Sequence, residues 1–251
     1  MDHNKENKII YFASDFHLGV PSAQESLKRE KKLVAWLNMI AKDATDVFLM
    51  GDLFDFWFEY KFTIPKGFTR FLGKLAELSD QGIHIHIFTG NHDMWMFDYL
   101  EKELGVKIIR QPTDFIFNGK SFHIAHGDGL GPGDYMYKFI KKVFSNKFCQ
   151  WLFARIHPNL SFRIANYWSN KSRENEGESP KFLGEQKEWL IQYSKELLLN
   201  NNYDFFVFGH RHLPIEHQLN TKSTYINLGD WIEFFTYAKF EGENIALLTY
   251  K

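Results

Sequence analysis

The chain lacks the features that would cross-link it covalently or fix it in a membrane. One of its 251 residues is a cysteine, Cys149, so an internal disulfide is excluded and a reducing compartment is indicated. No uninterrupted apolar run approaches the roughly 18 residues of a membrane-spanning helix, and the polar start MDHNKENK is unlike a signal peptide. An excess of one charge is also lacking, with 30 Lys and Arg against 31 Asp and Glu. Because 44% of the residues are hydrophobic, we expect a folded cytoplasmic α/β protein.

Aromatic residues are abundant, at 26 Phe, 11 Tyr and 7 Trp, and many lie in one basic segment. Residues 135–173 hold ten of these rings and eight Lys or Arg, but no Asp or Glu; with a total of −1, the rest of the chain carries −9. Helical spacing of apolar residues predicts three helices within 134–199, over 139–152, 160–168 and 182–197, with a break at Pro158. We therefore predict a cap insertion over 134–199 between two parts of a core, 1–133 and 200–251.

Five short runs of β-branched and aromatic residues each end in polar residues. Strands are predicted at 8–14, 46–50, 83–88, 121–125 and 204–208. Helices are predicted between them over 25–42 and around 68–75, Asn118-Gly119 predicts a hairpin turn, and further strands follow residue 203. Because ligands in open α/β sheets lie beyond the carboxyl ends of strands, we expect the polar clusters to converge in space.

The polar clusters contain side chains of the kind that bind divalent metals. The candidate ligands combine carboxylate, amide oxygen and imidazole, which suits Mn, Fe or Zn better than Mg alone; they are Asp15, His17, Asp52, Asn91, His126, His210 and His212. Two pairs of these residues, Asp15 with His17 and His210 with His212, are two positions apart in the chain. The side chains of each pair point to the same side if the chain stays extended. Two cations about 3.5–4 Å apart form a clamp for in-line attack on phosphorus and lower the pKa of bound water.

The ordered set D-x-H, G-D-x-x-D, G-N-H-D, H-G-D and G-H-x-H resembles the calcineurin-like metallophosphoesterase superfamily. The resemblance implies an α/β fold, a metallophosphoesterase-type β-sandwich flanked by helices, here with the helical cap insertion, and a centre of two divalent ions, often Mn²⁺. It implies one ion on Asp15, His17, Asp52 and His212, and a second on Asp52, Asn91, His126 and His210. It also implies catalytic roles for His92 and the bridging Asp52, with Asp93 or Asp55 as a supporting carboxylate.

Within that superfamily the chain resembles the UDP-2,3-diacylglucosamine pyrophosphohydrolases of lipid A biosynthesis. The resemblance is carried by S-D-F-H-L-G (14–19), G-D-L-F-D-F-W (51–57), H-G-D-G-L (126–130) and the basic aromatic end of the cap (163–173). It implies hydrolysis of the substrate's diphosphate to UMP and 2,3-diacylglucosamine 1-phosphate. It also implies substrate contacts that lie partly in the cap, from Asn91, His92, Asp134, Lys171, Ser172, Arg173 and His210.

The basic aromatic cap suits an anionic membrane surface, so we expect peripheral association with the inner face of the inner membrane and no nucleic-acid partner. Two other interpretations of the cap stay open, a simple helical core with a solvated basic face and a nucleic-acid contact. The chain also departs from this group of enzymes at His92, where they usually have Arg. A related phosphoesterase with a different substrate, such as a nucleotide or another lipid, is therefore the alternative.

Overall fold

The computed structural model describes residues 7–133, 135–165, 167 and 181–251. Its strands form two sheets that face each other. The strands are β1 Ile9–Ala13, β2 Asp46–Leu49, β3 His84–Phe88, β4 Lys107–Ile109, β5 Thr113–Phe117, β6 Lys120–Ala125, β7 Phe205–Phe208, β8 Pro214–Gln218, β9 Thr224–Leu228, β10 Thr236–Glu241 and β11 Asn244–Thr249. The predicted β-sandwich is therefore confirmed, although the sequence patterns did not identify the short strands β4 and β8.

Each sheet has a run of parallel strands, with antiparallel strands at one edge of the first sheet and at both edges of the second. The first sheet has the order β11-β10-β1-β2-β3-β4, with β1 to β4 parallel, and the second has the order β5-β6-β7-β9-β8, with β6, β7 and β9 parallel. Parallel strands end at the same edge of a sheet, so the residues that follow β1, β2 and β3 lie close together at that edge. The carboxyl ends of β6 and β7 do the same from the second sheet.

The space between the sheets is filled by apolar side chains, including Phe12, Phe48, Phe122, Val207 and Ile226. Phe12 stacks on Phe48 within the first sheet and on Phe122 across the sandwich, with ring centroids 5.2 and 6.1 Å apart. Burying rings of this size supplies most of the apolar stabilisation of such a core. The same packing holds the strand ends of the two sheets in register.

Helices cover the outer faces. They are α1 Ala23–Ile40, α2 Thr69–Asp80, α3 Tyr99–Leu104, α4 Tyr135–Phe144, α5 Lys147–Phe153, helical residues 158–165 (here α6) and α7 Trp189–Leu198. The α1 helix begins at its N-cap Ser22, whose hydroxyl accepts the Glu25 N–H at 3.2 Å. The predicted stripes of α1 and α2 are buried against the first sheet. No helix in the described ranges is long and apolar enough to cross a membrane.

The turn between β5 and β6 has the predicted hairpin form. Asn118 and Gly119 have φ angles of 49° and 81°, as a type I′ turn requires. The Asn118 carboxamide also donates to the carbonyl groups of Lys8 and Gly242, at 3.0 and 2.9 Å, so this turn is tied to the first sheet.

The cap differs from the predicted helices in two places. The expected single helix over 139–152 is two helices, because the Asn146 side chain accepts the N–H groups of Phe148 and Cys149 and starts α5 there. The helix expected over 182–197 begins only at Trp189, after a turn that contains Gly184 with φ +89°. The end of the helix expected over 160–168 lies outside the described residues.

Candidate metal centre

The polar residues that follow β1, β2, β3, β6 and β7 meet at one edge of the sandwich. All seven predicted ligands, from Asp15 to His212, are brought together there, and short contacts between them cross both sheets. Two groups of potential ligands share the buried carboxylate of Asp52. The expected convergence of strand ends is therefore what the tertiary structure shows.

The first group consists of Asp15, His17, Asp52 and His212, whose ligand atoms all lie within 4.8 Å of one another. His212 Nε2 is 3.2 Å from Asp15 Oδ1 and 3.2 Å from His17 Nε2. His17 Nε2 is in turn 3.8 Å from Asp52 Oδ2. Two imidazole nitrogens and two carboxylates thus face a common centre, a set that suits a transition-metal ion.

The second group consists of Asp52, His126 and His210, with Asn91 beside it. His126 Nε2 lies 3.4 Å from Asp52 Oδ2 and 3.3 Å from Asn91 Oδ1. One carboxylate, one amide oxygen and two imidazoles again form a mixed oxygen and nitrogen set. Asp52 Oδ2 contacts histidines of both groups, which is the position a bridging ligand needs.

Each of three histidines turns Nδ1 away from the centre and Nε2 toward it. His126 Nδ1 donates to the Met50 carbonyl oxygen at 2.6 Å, which leaves its Nε2 available to bind a metal ion. His212 Nδ1 is 3.4 Å from Asp230 Oδ2, and His17 Nδ1 faces Asp55 Oδ1 at 3.6 Å. Such outer partners fix ring orientation and raise the basicity of the ligand nitrogen.

The backbone at five ligands is not extended, which corrects the sequence-based geometry. Asp15, His17, Asp52, His210 and His212 have φ angles between 43° and 65°, in the left-handed region. Residues other than glycine adopt it at an energetic cost, and such residues cluster at functional sites. The paired residues Asp15 and His17, and likewise His210 and His212, therefore reach the centre from a tightly bent loop and not from an extended strand.

Three glycines leave the room that the ligands occupy. A Cβ atom on Gly90 would lie 2.1 Å from Asp52 Oδ1, and one on Gly209 would lie 2.6 Å from Asp15 Oδ2. A Cβ on Gly51 would lie 2.7 Å from His126 Nδ1. Each of these positions therefore requires glycine, because the side chains of the candidate ligands approach the backbone closely there.

Burial and mutual charge shift the ionisation of the ligands in opposite directions. Burial alone raises the pKa of Asp15, but His212 and His17 outweigh it and hold that pKa well below its usual range. Burial lowers the pKa of His126, yet Asp52 raises it to about 10. Burial, followed by the charge of His126, lowers the pKa of His210 to about 4. Cation binding at this centre therefore displaces protons and is pH-dependent.

One buried atom of the first group is incompletely satisfied by the protein. Asp15 Oδ1 is fully buried and faces His212 Nε2 at 3.2 Å, but it makes no regular hydrogen bond among the described residues. A buried carboxylate oxygen in that position is costly unless a cation or donor satisfies it. The residues present therefore fit a pair of divalent cations.

His92 lies beside the two groups that share Asp52 and forms a third group of potential ligand atoms with His17 and Asp55. Its ring is 4.8 Å from that of His17, and its Nδ1 donates to the Asp55 carbonyl oxygen at 3.0 Å. Asp55 Oδ1 is 3.8 Å from the same nitrogen. Asp55 is thus the carboxylate that faces both His17 and His92.

Asp93 has a different environment from Asp55. It is fully buried and accepts the backbone N–H groups of Leu53 at 2.7 Å and Gly90 at 2.8 Å. Burial and the nearby Asp52 raise the pKa of Asp93 to about 7. These contacts hold the loop that carries Asp52 against the turn that carries Asn91.

Asp230 was missed by the sequence reasoning. Its Oδ2 faces His212, and its Oδ1 accepts three successive backbone N–H groups, the closest from Glu233 at 2.8 Å. The signal was present in the sequence, because Gly229-Asp230 follows β9 in the same way that Gly51-Asp52 follows β2. It lies beyond the last motif of the ordered set, which ends at His212.

The predicted substrate contacts are only partly within the described structure. Asn91 and His92 line a cavity of about 550 Å³ between the core and the cap, here called the apolar cavity. Most of its other lining residues are hydrophobic: Phe56, Met94, Trp95, Phe139, Ile140, Val143, Phe144, Phe153, Ile164 and Ala165. Asp134, Lys171, Ser172 and Arg173 lie outside the described residues.

Comparison with known proteins identifies a family and several relatives of this chain. The sequence profile of a family described as calcineurin-like phosphoesterase matches residues 9–214. The chain is 40% identical over 252 residues to a protein of Porphyromonas gingivalis named UDP-2,3-diacylglucosamine hydrolase, with 95% of this chain and 96% of that protein covered. It is 26% identical over 247 residues to a protein of the same name from Yersinia pestis, with 95% and 98% covered. A solution structure of a Thermotoga maritima protein aligns with a TM-score of 0.43 and 17% identity, covering 97% of this chain and 99% of that one.

Proposed function

Because the chain belongs to the calcineurin-like phosphoesterase family, we propose that it hydrolyses the diphosphate of UDP-2,3-diacylglucosamine, with UMP and 2,3-diacylglucosamine 1-phosphate as products. The observation that carries the proposal is the placement of the apolar cavity against Asn91 and His92, next to two ligand groups that share Asp52. The ligand groups would bind the diphosphate, and the adjacent apolar cavity would bind an acyl chain. The relative from Porphyromonas gingivalis, whose name gives this substrate, supports the assignment over nearly the whole chain.

In this proposal one divalent cation is held by Asp15, His17, Asp52 and His212, and the second by Asp52, Asn91, His126 and His210. Mn²⁺ is the proposed metal, since mixed carboxylate and imidazole sets suit it. What the cations supply when bound is neutralisation of diphosphate charge and a lowered pKa for coordinated water. Asp52 would bridge the two cations, since its Oδ2 lies 3.8 Å from His17 Nε2 and 3.4 Å from His126 Nε2.

His92 is proposed to act on the phosphoryl oxygens. Its Nδ1 is committed to the Asp55 carbonyl, so Nε2 is the nitrogen left for the substrate. Nε2 donates a hydrogen bond only in the imidazolium form, which then stabilises developing negative charge or protonates the leaving oxygen. Asp93 is proposed to support the reaction by holding the loops of Asp52 and Asn91 together.

The cap is proposed to bring the protein to an anionic membrane surface on the cytoplasmic side. Phe139, Phe148 and Trp151 are between 51% and 64% exposed, and Lys142 and Lys147 are exposed on the same two helices. Exposed rings and lysines together favour a lipid interface. Sedimentation with phosphatidylcholine vesicles, with and without phosphatidylglycerol, tests this: binding that does not depend on the anionic lipid contradicts it.

The test of the activity is UMP release from the diacyl nucleotide sugar by purified protein, with added Mn²⁺ and after treatment with a chelator. We expect release with Mn²⁺, loss with the chelator, and two metal ions per chain by elemental analysis. A specific observation favours the alternative, a phosphoesterase with another substrate: His92 stands where the resembled enzymes usually have Arg. Faster turnover of an aryl phosphodiester than of the lipid nucleotide would establish that alternative.

A further inference from the structure

A second cavity, of about 980 Å³, opens beside the metal centre and is here called the polar groove. Its walls are the loop after His17, the loop 63–68 and the start of α6 in the cap. Among the described lining residues, it shares only Asp55 and Phe56 with the apolar cavity. The centroid of the Phe56 ring lies 5.2 Å from that of Phe162 in the polar groove and 6.1 Å from that of Trp95 in the apolar cavity. The Phe56 ring therefore separates the two cavities.

Both cavities end at the same part of the metal centre. Leu18, which lines the polar groove, directly follows His17, and Asp55 lies 3.6 Å from His17 and 3.8 Å from His92. Gly19 also lines this end, and a Cβ there would lie 3.7 Å from Asp55 Cβ. A molecule whose reacting phosphate is at the centre can therefore extend into both cavities.

The two cavities differ in chemistry. Both cavities have many hydrophobic lining residues, but the polar groove adds two cations, Lys66 and Arg163, and two further polar side chains, His157 and Asn159, beside the Phe162 ring. Asp55 is the one acid among the described residues of its lining. Cations and amides suit phosphate and heterocycle recognition and do not suit acyl chains.

The start of α6 fixes the hydrogen-bonding character of His157. Its Nδ1 accepts the backbone N–H of Asn159 at 3.3 Å, so its Nε2 carries the proton and is a donor. The Asn159 side chain is exposed and offers both amide N–H donors and a carbonyl oxygen acceptor. Ser161 hydrogen-bonds to Tyr60, which fastens this part of the cap to the core.

We propose that the polar groove binds the nucleotide half of the substrate, with the pyrimidine base against Phe162 and Asn159. The inference rests on the proposed function, in which the substrate joins a uridine nucleotide to a diacyl sugar through the diphosphate. A uracil edge places an N–H between two carbonyl oxygens, which matches the donor and acceptor of Asn159 and the donor of His157. Its flat face suits an aromatic ring, since base stacking on such rings stabilises binding.

The volumes agree with this division. Ligand cavities commonly span about 300–1,000 Å³, and both of these fall within that range. Lys66 and Arg163 add positive charge at the mouth for a phosphate or ribose oxygen. The substrate would thus straddle Phe56, with nucleotide on one side and acyl chains on the other.

Binding to the Mn²⁺-loaded protein tests the base site. Titration calorimetry compares UMP with ribose 5-phosphate, which keeps the phosphate and sugar but lacks the base. We expect Asn159→Ala to raise the dissociation constant of UMP at least five-fold and that of ribose 5-phosphate less than two-fold. The matched control is Asn200→Ala, an exposed asparagine beyond α7, for which neither constant changes. Equal weakening of both ligands by Asn159→Ala, or none, overturns the inference.

Photo-cross-linking with 4-thiouridine 5′-monophosphate locates the base independently of any variant. We expect adducts, competed by UMP, on peptides containing 157–163 or 63–68. Adducts on residues 135–144 of the apolar cavity would overturn the inference by reversing the two halves. Failure of the proposed function has a separate signature: UMP binds in the polar groove, but the wild-type protein releases no UMP from the diacyl nucleotide sugar.

Discussion

Asp52 Oδ1 accepts the backbone N–H of His92 at 2.9 Å, while Oδ2 of the same carboxylate faces histidines of both ligand groups. The residue proposed to bridge the cations therefore also fixes the main chain of the residue proposed to act on the phosphate. The G-D loop and the G-N-H-D turn are one unit for this reason. We therefore expect a substitution in either segment to alter the position of the other.

The substitution Asp52→Asn tests the bridge. The carboxamide that it introduces keeps an oxygen for the His92 N–H but loses the charge that two cations share, so the second metal is expected to be lost. We predict a fall of about 10³-fold in kcat/KM, or about 4 kcal/mol, with metal content near one ion or less per chain by elemental analysis. The circular dichroism spectrum should be unchanged. Full occupancy by two ions in this variant would contradict the bridging role.

Replacing His92 with Ala separates phosphate handling from metal binding. We predict a fall of about 10²–10³-fold in kcat with metal content unchanged, because the contact of His92 with Asp52 is made by its backbone N–H, which alanine keeps. His92→Arg should retain more activity than His92→Ala, since a guanidinium also pairs with phosphate. The control is His84→Ala, which removes an exposed histidine of β3. Loss of metal from His92→Ala would mean that His92 is itself a ligand.

Replacing Asp230 with Asn tests its role as the group that orients His212. The substitution removes the negative charge that faces His212 Nδ1 at 3.4 Å. Loss of a carboxylate that orients a metal-binding histidine typically weakens metal affinity by about 10–100-fold. We predict a loss in that range when Mn²⁺ binding is titrated, with His212 still present. The matched control is Asp80→Asn, an exposed carboxylate at the end of α2. Unchanged Mn²⁺ affinity in Asp230→Asn would remove this residue from the site.

Two glycines with opposite surroundings make a paired test. In Gly90→Ala the new methyl group would lie 2.1 Å from Asp52 Oδ1, so we predict at least ten-fold weaker metal binding and a lower Tm. In Gly73→Ala, inside α2, a Cβ meets nothing within 4 Å, and stability should rise by up to about 1 kcal/mol. Thermal denaturation and metal titration measure both. Equal behaviour of the two variants would show that close approach does not explain Gly90.

Acid stability is expected to depend on Asp46, at the start of β2. Burial raises its pKa, but His86, Lys8 and Thr45 outweigh burial and lower that pKa to about 2. A carboxyl whose pKa is lower in the folded chain stabilises the fold above its unfolded pKa of about 4. That contribution is lost as the pH falls toward 2.

The measurement is urea unfolding at pH 7 and pH 3. We predict that Asp46→Asn reduces the difference in unfolding free energy between these pH values by about 1 kcal/mol, after solvent screening. Asp80→Asn should leave the difference as in the wild type. A difference that is the same in Asp46→Asn and wild type would show that the Lys8 and His86 contacts contribute nothing measurable.

Much of the site could be predicted from the sequence because each candidate ligand belongs to a short motif that includes the strand before it. Each candidate ligand follows a run whose composition favours a strand, and parallel strands of one sheet end together. That reasoning alone places Asp15, Asp52 and Asn91 at one edge. It places His126 and His210 there as well, although these belong to the second sheet.

Other features depend on contacts that no local pattern contains. The left-handed backbone at His17 and His212 contradicts the extended geometry inferred from their spacing. The break of the first cap helix at Asn146 was hidden by apolar residues that keep helical spacing across it. Local propensity is weak where a single cap or a distant partner decides the conformation.

The sequence by itself determined the kinds of ligand, their order and the strands that present them, since these follow from side-chain chemistry and short-range periodicity. Only the tertiary structure decided that Asp52 also holds the backbone of His92, that Asp230 faces His212, and that Phe56 lies between an apolar cavity and a polar groove. The physical reason is that these relationships join residues far apart in the chain, and packing of the two sheets and the cap alone brings them within contact distance.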